Sequence, residues 1–132
     1  MKQAKQFFIA GIFFGATGVM AGAFGAHFLG EKLNEDQLHT FETAVRYQMY
    51  HALALCIVAL LISKSAEKLY RYAGNCFIAG VIIFSGSLYM LSTSAIWSGI
   101  SVDWLGPLTP VGGLSLIAGW IILGVGVAKY LP

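Results

Sequence analysis

From Phe7 to Leu29 the chain carries no formal charge. A helix of that length reaches roughly 35 Å, enough to cross a hydrocarbon core of about 30 Å. A soluble fold would have to bury the whole run, and the rest of the sequence does not supply the polar surface to do it. Of 132 residues, 58% are hydrophobic and 11% charged, against roughly 25% charged in an average soluble domain. A small domain buries only about two thirds of the surface its unfolded chain exposes, so lipid must cover the remainder.

A cleaved leader is the rival reading of this first run. Met1 to Lys5 resembles an n-region, and Ala21-Gly22-Ala23 fits a small-residue cleavage site. The apolar stretch is longer than the 7–15 residues of an h-region, so we expect it to stay in place as a span.

Three more spans are expected, over 44–62, 72–91 and 110–130, after a first over 7–29. All four belong to one membrane domain covering 1–132. The second continues an amphipathic helix that starts in water over about 35–46. Asn34 is placed to cap it, Glu35 and Asp36 suit its positive end, and Gln37 stands at N3. Ser63 to Arg71 reads as a short cationic loop and Ser92 to Pro107 as the longest polar stretch. Thr109 and Pro110 read as N-cap and N1 of the last span. The fold class is therefore all-α, an integral membrane four-helix bundle.

Orientation follows from lysine and arginine on alternate sides. Lys2, Lys5, Lys64, Lys68, Arg71 and Lys129 fall on one side, Lys32 and Arg46 on the other. The positive-inside rule puts the larger set in the cytoplasm, with both termini inside. Glu31, Glu35, Asp36, Glu42 and Asp103 then lie outside, and Trp97, Trp104, Tyr70, Tyr72 and Tyr130 fall near the interfaces.

A net charge of +2 with no basic stripe gives no nucleic-acid footprint. Cys56 and Cys76 lie in apolar stretches and read as small core hydrophobes. No cofactor motif, HExxH pattern, nucleophile elbow or phosphate loop is present, and neither a metal site nor an enzyme is expected.

Two glycine stripes predict close helix packing. Gly11, Gly15, Gly18, Gly22 and Gly25 step by four, three, four and three along the first span, and Gly112, Gly119 and Gly126 repeat at seven along the fourth. Small residues let helix backbones approach in lipid, and the 3.5-residue mean step predicts a left-handed crossing. The stripes serve packing within the bundle, or one of them joins subunits into a homo-oligomer.

The segment Phe41 to His51 holds the residues able to carry chemistry. On a helix Glu42, Arg46 and Tyr50 fall at i, i+4 and i+8, beside a row of His39, Thr43, Tyr47 and His51. They predict one broad polar face descending into the bilayer, with His51 well inside the apolar zone, a depth at which ionisable groups usually face a bundle interior. His27, at the end of the first span, is expected at the level of Glu42, Arg46 or His51. Two histidines and an acid at one level suit a proton relay or a metal. The plainer expectation is an i,i+4 pair between Glu42 and Arg46, with both histidines bonded to backbone carbonyls. Ser85, Tyr89 and Ser92 share a face of the third span, where serine usually bonds its own helix or a neighbour.

Four blocks in order carry a resemblance over nearly the whole chain. They are Gly22-Ala-Phe-Gly-Ala-His27, Phe41 to His51, Phe84-Ser-Gly-Ser-Leu-Tyr89, and Thr109-Pro-Val-Gly-Gly113 followed by Gly119-Trp120. Together they resemble the DUF423 family, which includes small bacterial membrane proteins and the eukaryotic transmembrane protein 256. The resemblance implies a four-span protein of the bacterial inner membrane and supplies no catalytic residues. The expected role is structural or accessory, through helix contacts with itself or a larger membrane complex. The alternative is an oligomeric solute or proton path lined by Glu42, Arg46, His51 and His27.

Overall fold

The computed structural model describes residues 2–97 and 101–130, and every regular element among them is helical. Helix α1 spans Lys2–His27 and α2 spans Glu35–Lys64. The third span consists of α3 (Lys68–Gly80), a π-helical turn (Val81–Ser85) and α4 (Gly86–Thr93). Helix α5 spans Leu108–Tyr130. With their flanking 3₁₀ turns these form four apolar segments of 28 to 30 residues, each long enough to cross a bilayer.

Local chemistry explains most boundaries. Asn34 Oδ1 accepts from the Gln37 N–H at 2.9 Å, and Gln37 Oε1 accepts from the Asn34 N–H at 3.1 Å. This reciprocal pair satisfies two donors that the start of α2 would otherwise leave unbonded. The cationic loop expected over 63–71 shrinks to 65–67, since α2 runs through Lys64 and α3 restarts at Lys68. Lysine and arginine are good helix formers, and Arg71 donates from its guanidinium to Gln3 Oε1 at 3.2 Å.

Helix α5 starts at Leu108, so Thr109 is not its N-cap. Pro110 still lies in the first turn, where its missing N–H leaves no bond unmade. The Thr109 hydroxyl instead lies 2.7 Å from Ser87 Oγ on α4.

The spans pack in sequence order. Helix α1 lies along α2, α5 lies along α3 and the π turn, and α2 joins the third span. The core contains Phe7, Leu55, Val58, Tyr70, Phe77 and Leu116. The π turn holds one more residue than an α-helical turn would, which offsets the faces of α4 from those of α3. Ser85 at its end donates to the Ala44 carbonyl of α2 at 2.9 Å, tying the wide turn to the neighbouring helix.

Both glycine stripes face the inside of the subunit. A Cβ at Gly11 would lie 2.8 Å from the Ala52 carbonyl, one at Gly18 would strike Met49, and one at Gly25 would strike Phe41. Gly15 and Gly22 sit more loosely against Ala52 and Val45. On α5, Gly112 abuts the Phe84 backbone, Gly119 the Phe77 ring and Gly126 the Tyr70 ring.

Candidate functional site

The polar residues of α2 divide between two environments. Its buried row is Phe41, Ala44, Gln48, His51, Leu55, Val58 and Ile62, stepping by three and four. Glu42, Arg46, Tyr47 and Tyr50 lie outside that row and are exposed. The broad face expected from Glu42 to His51 therefore does not form. At about 100° per residue, Glu42 lies about 180° round the helix from His51, Arg46 about 140° and Tyr50 about 100°, so burying His51 leaves all three outside. Glu42 and Arg46 are both exposed and do not form the i,i+4 ion pair.

His51 is buried and fully bonded. Its Nδ1 lies 2.7 Å from the Tyr47 carbonyl, and its Nε2 lies 3.0 Å from Trp120 Nε1 on α5. A carbonyl only accepts and an indole N–H only donates, so Nδ1 carries the proton and Nε2 accepts. This fixes the neutral ring in one tautomer. Phe77 flanks it, with ring centroids 5.3 Å apart.

His27 is exposed at the end of α1 and is not brought to His51. Among the described residues, no group of three metal-ligating side chains exists. The two histidines and the acid weighed as a relay or metal site are not brought to one place: His51 turns toward Phe77 of α3 and Trp120 of α5, while His27 is exposed at the end of α1.

Gln48, not singled out from the sequence, is the hub of the interior. Its Nε2 donates to the Phe14 carbonyl at 2.9 Å and to Thr17 Oγ1 at 2.8 Å on α1. Its Oε1 accepts from the Tyr89 hydroxyl at 2.8 Å on α4. One amide thus links three spans, and the Phe14 carbonyl fixes which way it points. The signal was available: Gln48 and His51 occupy successive places in a row that otherwise reads Phe41, Ala44, Leu55, Val58, Ile62.

The four sequence blocks that carry the family resemblance converge in this half of the bundle. Gly25 lies against Phe41, and the Phe41 and Tyr89 rings are 5.0 Å apart. The Tyr47 and Phe84 rings are 4.8 Å apart, and Phe84 abuts Gly112. With Ser87 on Thr109 and Trp120 on His51, each block supplies a partner for another.

A family model described as "Protein of unknown function (DUF423)" matches residues 21–113, which hold the blocks from Gly22 to Gly113. UPF0382 membrane protein YwdK of Bacillus subtilis (strain 168) is 42% identical over 128 residues, covering 96% of this chain and 99% of that protein. UPF0382 membrane protein SH2409 of Staphylococcus haemolyticus (strain JCSC1435) is 41% identical over 127 residues, covering 96% and 98%. No solved structure matches this chain. With the family model spanning most of its length and relatives aligned almost end to end, this chain belongs to the DUF423 family of membrane proteins.

Proposed function

We propose that this chain is a non-catalytic accessory protein of the bacterial cytoplasmic membrane, acting through lateral contacts within the bilayer. One observation carries the reading: the interior polar groups are spent on holding the spans together. Among the described residues, no buried side-chain nitrogen or oxygen lacks a hydrogen-bond partner. A solute or proton path needs polar groups free to exchange partners along its length. Here Gln48, His51 and Ser85 each join two or more spans, and the surroundings of His51 are aromatic.

The distribution of charge supports an orientation with both termini in the cytoplasm. Lys2, Lys5, Lys64, Lys68 and Arg71 gather at one end of the bundle, with Glu35, Asp36, Glu42 and Asp103 toward the other. The outward-facing Glu42 and Arg46, beside a cleft of about 240 Å³ lined by Gly22, Gly25 and Val45, suit a polar contact with a larger membrane partner.

Affinity purification of the tagged chain from native membranes in mild detergent tests this. A stoichiometric integral membrane partner, lost on charge reversal at Glu42 and Arg46, is the expected result. Ion or solute flux through proteoliposomes of the chain alone, abolished by His51→Phe at unchanged stability, would overturn it in favour of transport.

A further inference from the structure

Between α1 and the third span lies an apolar groove that opens sideways. Its central part, about 300 Å³, is floored by Thr17, Gln48 and Tyr89. It runs on toward the basic end past Phe13 and Ile82, through about 510 Å³, and toward the acidic end past Ala21 and Tyr89, through about 520 Å³. Ile9, Phe13, Met20 and Ile82 on its rim are exposed, so its long side faces lipid. From Gln6 to Phe24 along α1 it extends roughly 27 Å, most of a hydrocarbon core.

The floor has an asymmetric hydrogen-bonding capacity. Both Gln48 N–H groups are committed, to Phe14 O and Thr17 Oγ1. The Tyr89 proton goes to Gln48 Oε1, and the Thr17 proton to the Phe13 carbonyl at 2.7 Å. Every donor is used, whereas Tyr89 Oη and Gln48 Oε1 retain lone pairs. The floor can only accept. None of the residues lining this central part carries a formal charge, so an ionised headgroup there would be desolvated with no counter-charge.

Gly86 on the groove wall supplies an independent observation. Nothing lies within 4 Å of the position its Cβ would take, and its backbone is ordinary α-helix at φ −59 and ψ −47. Neither close packing nor a left-handed conformation requires glycine there, and glycine weakens a helix. A side chain at 86 would enter the groove. The glycine keeps it open.

From these features we propose that the groove binds an uncharged long-chain lipid with a free hydroxyl, its chain along α1 and its single O–H donated to the free lone pair of Tyr89 Oη or of Gln48 Oε1. Gln48 sits roughly 24 Å along α2 from Lys64, so the hydroxyl rests in the half of the bilayer nearer the acidic end. Ketones, esters and ethers offer no proton and are not retained by the floor. Occupancy of the groove does not depend on whether the chain also joins a larger complex.

The test compares two diazirine-bearing probes, hexadecanol and its methyl ether, on the protein in phosphatidylcholine nanodiscs, with adducts mapped by mass spectrometry. The alcohol should label the groove about fivefold or more over the ether, the factor one hydrogen bond in an apolar site supplies. Gly86→Leu should abolish that preference. Gly124→Leu, another glycine with open space around it but outside the groove, should retain it. Equal labelling by both probes in the wild-type protein would overturn the proposal without reference to any variant. So would a preference that survives in well-folded Gly86→Leu, or subunit crosslinks showing a second copy seated in the groove.

Discussion

The indole N–H of Trp120 donates to His51 Nε2 at 3.0 Å, joining the fourth span to the second through a ring whose other nitrogen is held by the Tyr47 carbonyl. Trp120→Phe leaves Nε2 buried with nothing to accept from and should cost about 1 kcal/mol, between the small mean for membrane hydrogen bonds and the larger penalty of an orphaned group. His51→Phe combined with Trp120→Phe removes both partners, so the double variant should lose less than the sum of the singles. Reversible unfolding in mixed micelles reads the cycle, and strict additivity would contradict the bond.

Removal of the Gln48 hub should be more damaging than loss of either end. Gln48→Leu strands the Tyr89 hydroxyl and the polar contacts on α1 together, and we expect about 2 kcal/mol. Tyr89→Phe keeps the ring against Phe41 and the bonds to α1, and should cost about half as much. Melting of the purified variants in one detergent orders them.

The glycines should separate sharply by what surrounds them. Gly112→Ala drives a methyl into the Phe84 backbone, which cannot yield as a flexible side chain does, and should cost about 2–3 kcal/mol or prevent accumulation. Gly15→Ala meets only the Ala52 Cβ at 3.9 Å. It should be neutral or stabilising by up to about 1 kcal/mol through helix propensity.

Gly86→Ala should raise the melting temperature, since the methyl meets nothing and the helix gains about 0.5–1 kcal/mol. The same change narrows the groove. A loss of stability would mean that something besides open space surrounds this position.

Orientation is accessible to an impermeant maleimide on whole cells. Asp103→Cys, in a background with Cys56 and Cys76 replaced by alanine, should label in intact cells. Lys68→Cys should label only after permeabilisation. The reverse pattern would place both termini outside.

The features legible in the residues alone are those governed by short-range chemistry. The four spans follow from predominantly apolar runs long enough to cross lipid, and the start of α2 from the Asn34 and Gln37 pair, because a cap involves groups three residues apart. The glycine stripes are likewise visible as spacing. Their partners are not, since which helix fills a stripe depends on how the spans are arranged around α2.

Tertiary structure alone decided which partners the buried polar residues meet. Two adjacent rows at four-residue spacing read as one broad face, yet Glu42 and His51 are nine residues and about 180° apart on a helix, and which of them turns inward is set by packing Phe41, Ala44, Leu55, Val58 and Ile62. That rotation carries Gln48 and His51 into the interior and leaves Glu42 and Arg46 outside. The π turn at 81–85 and the partners Trp120, Thr17 and Tyr89 come from other spans. A buried polar group needs a partner, and only the assembled helices determine which one is within reach.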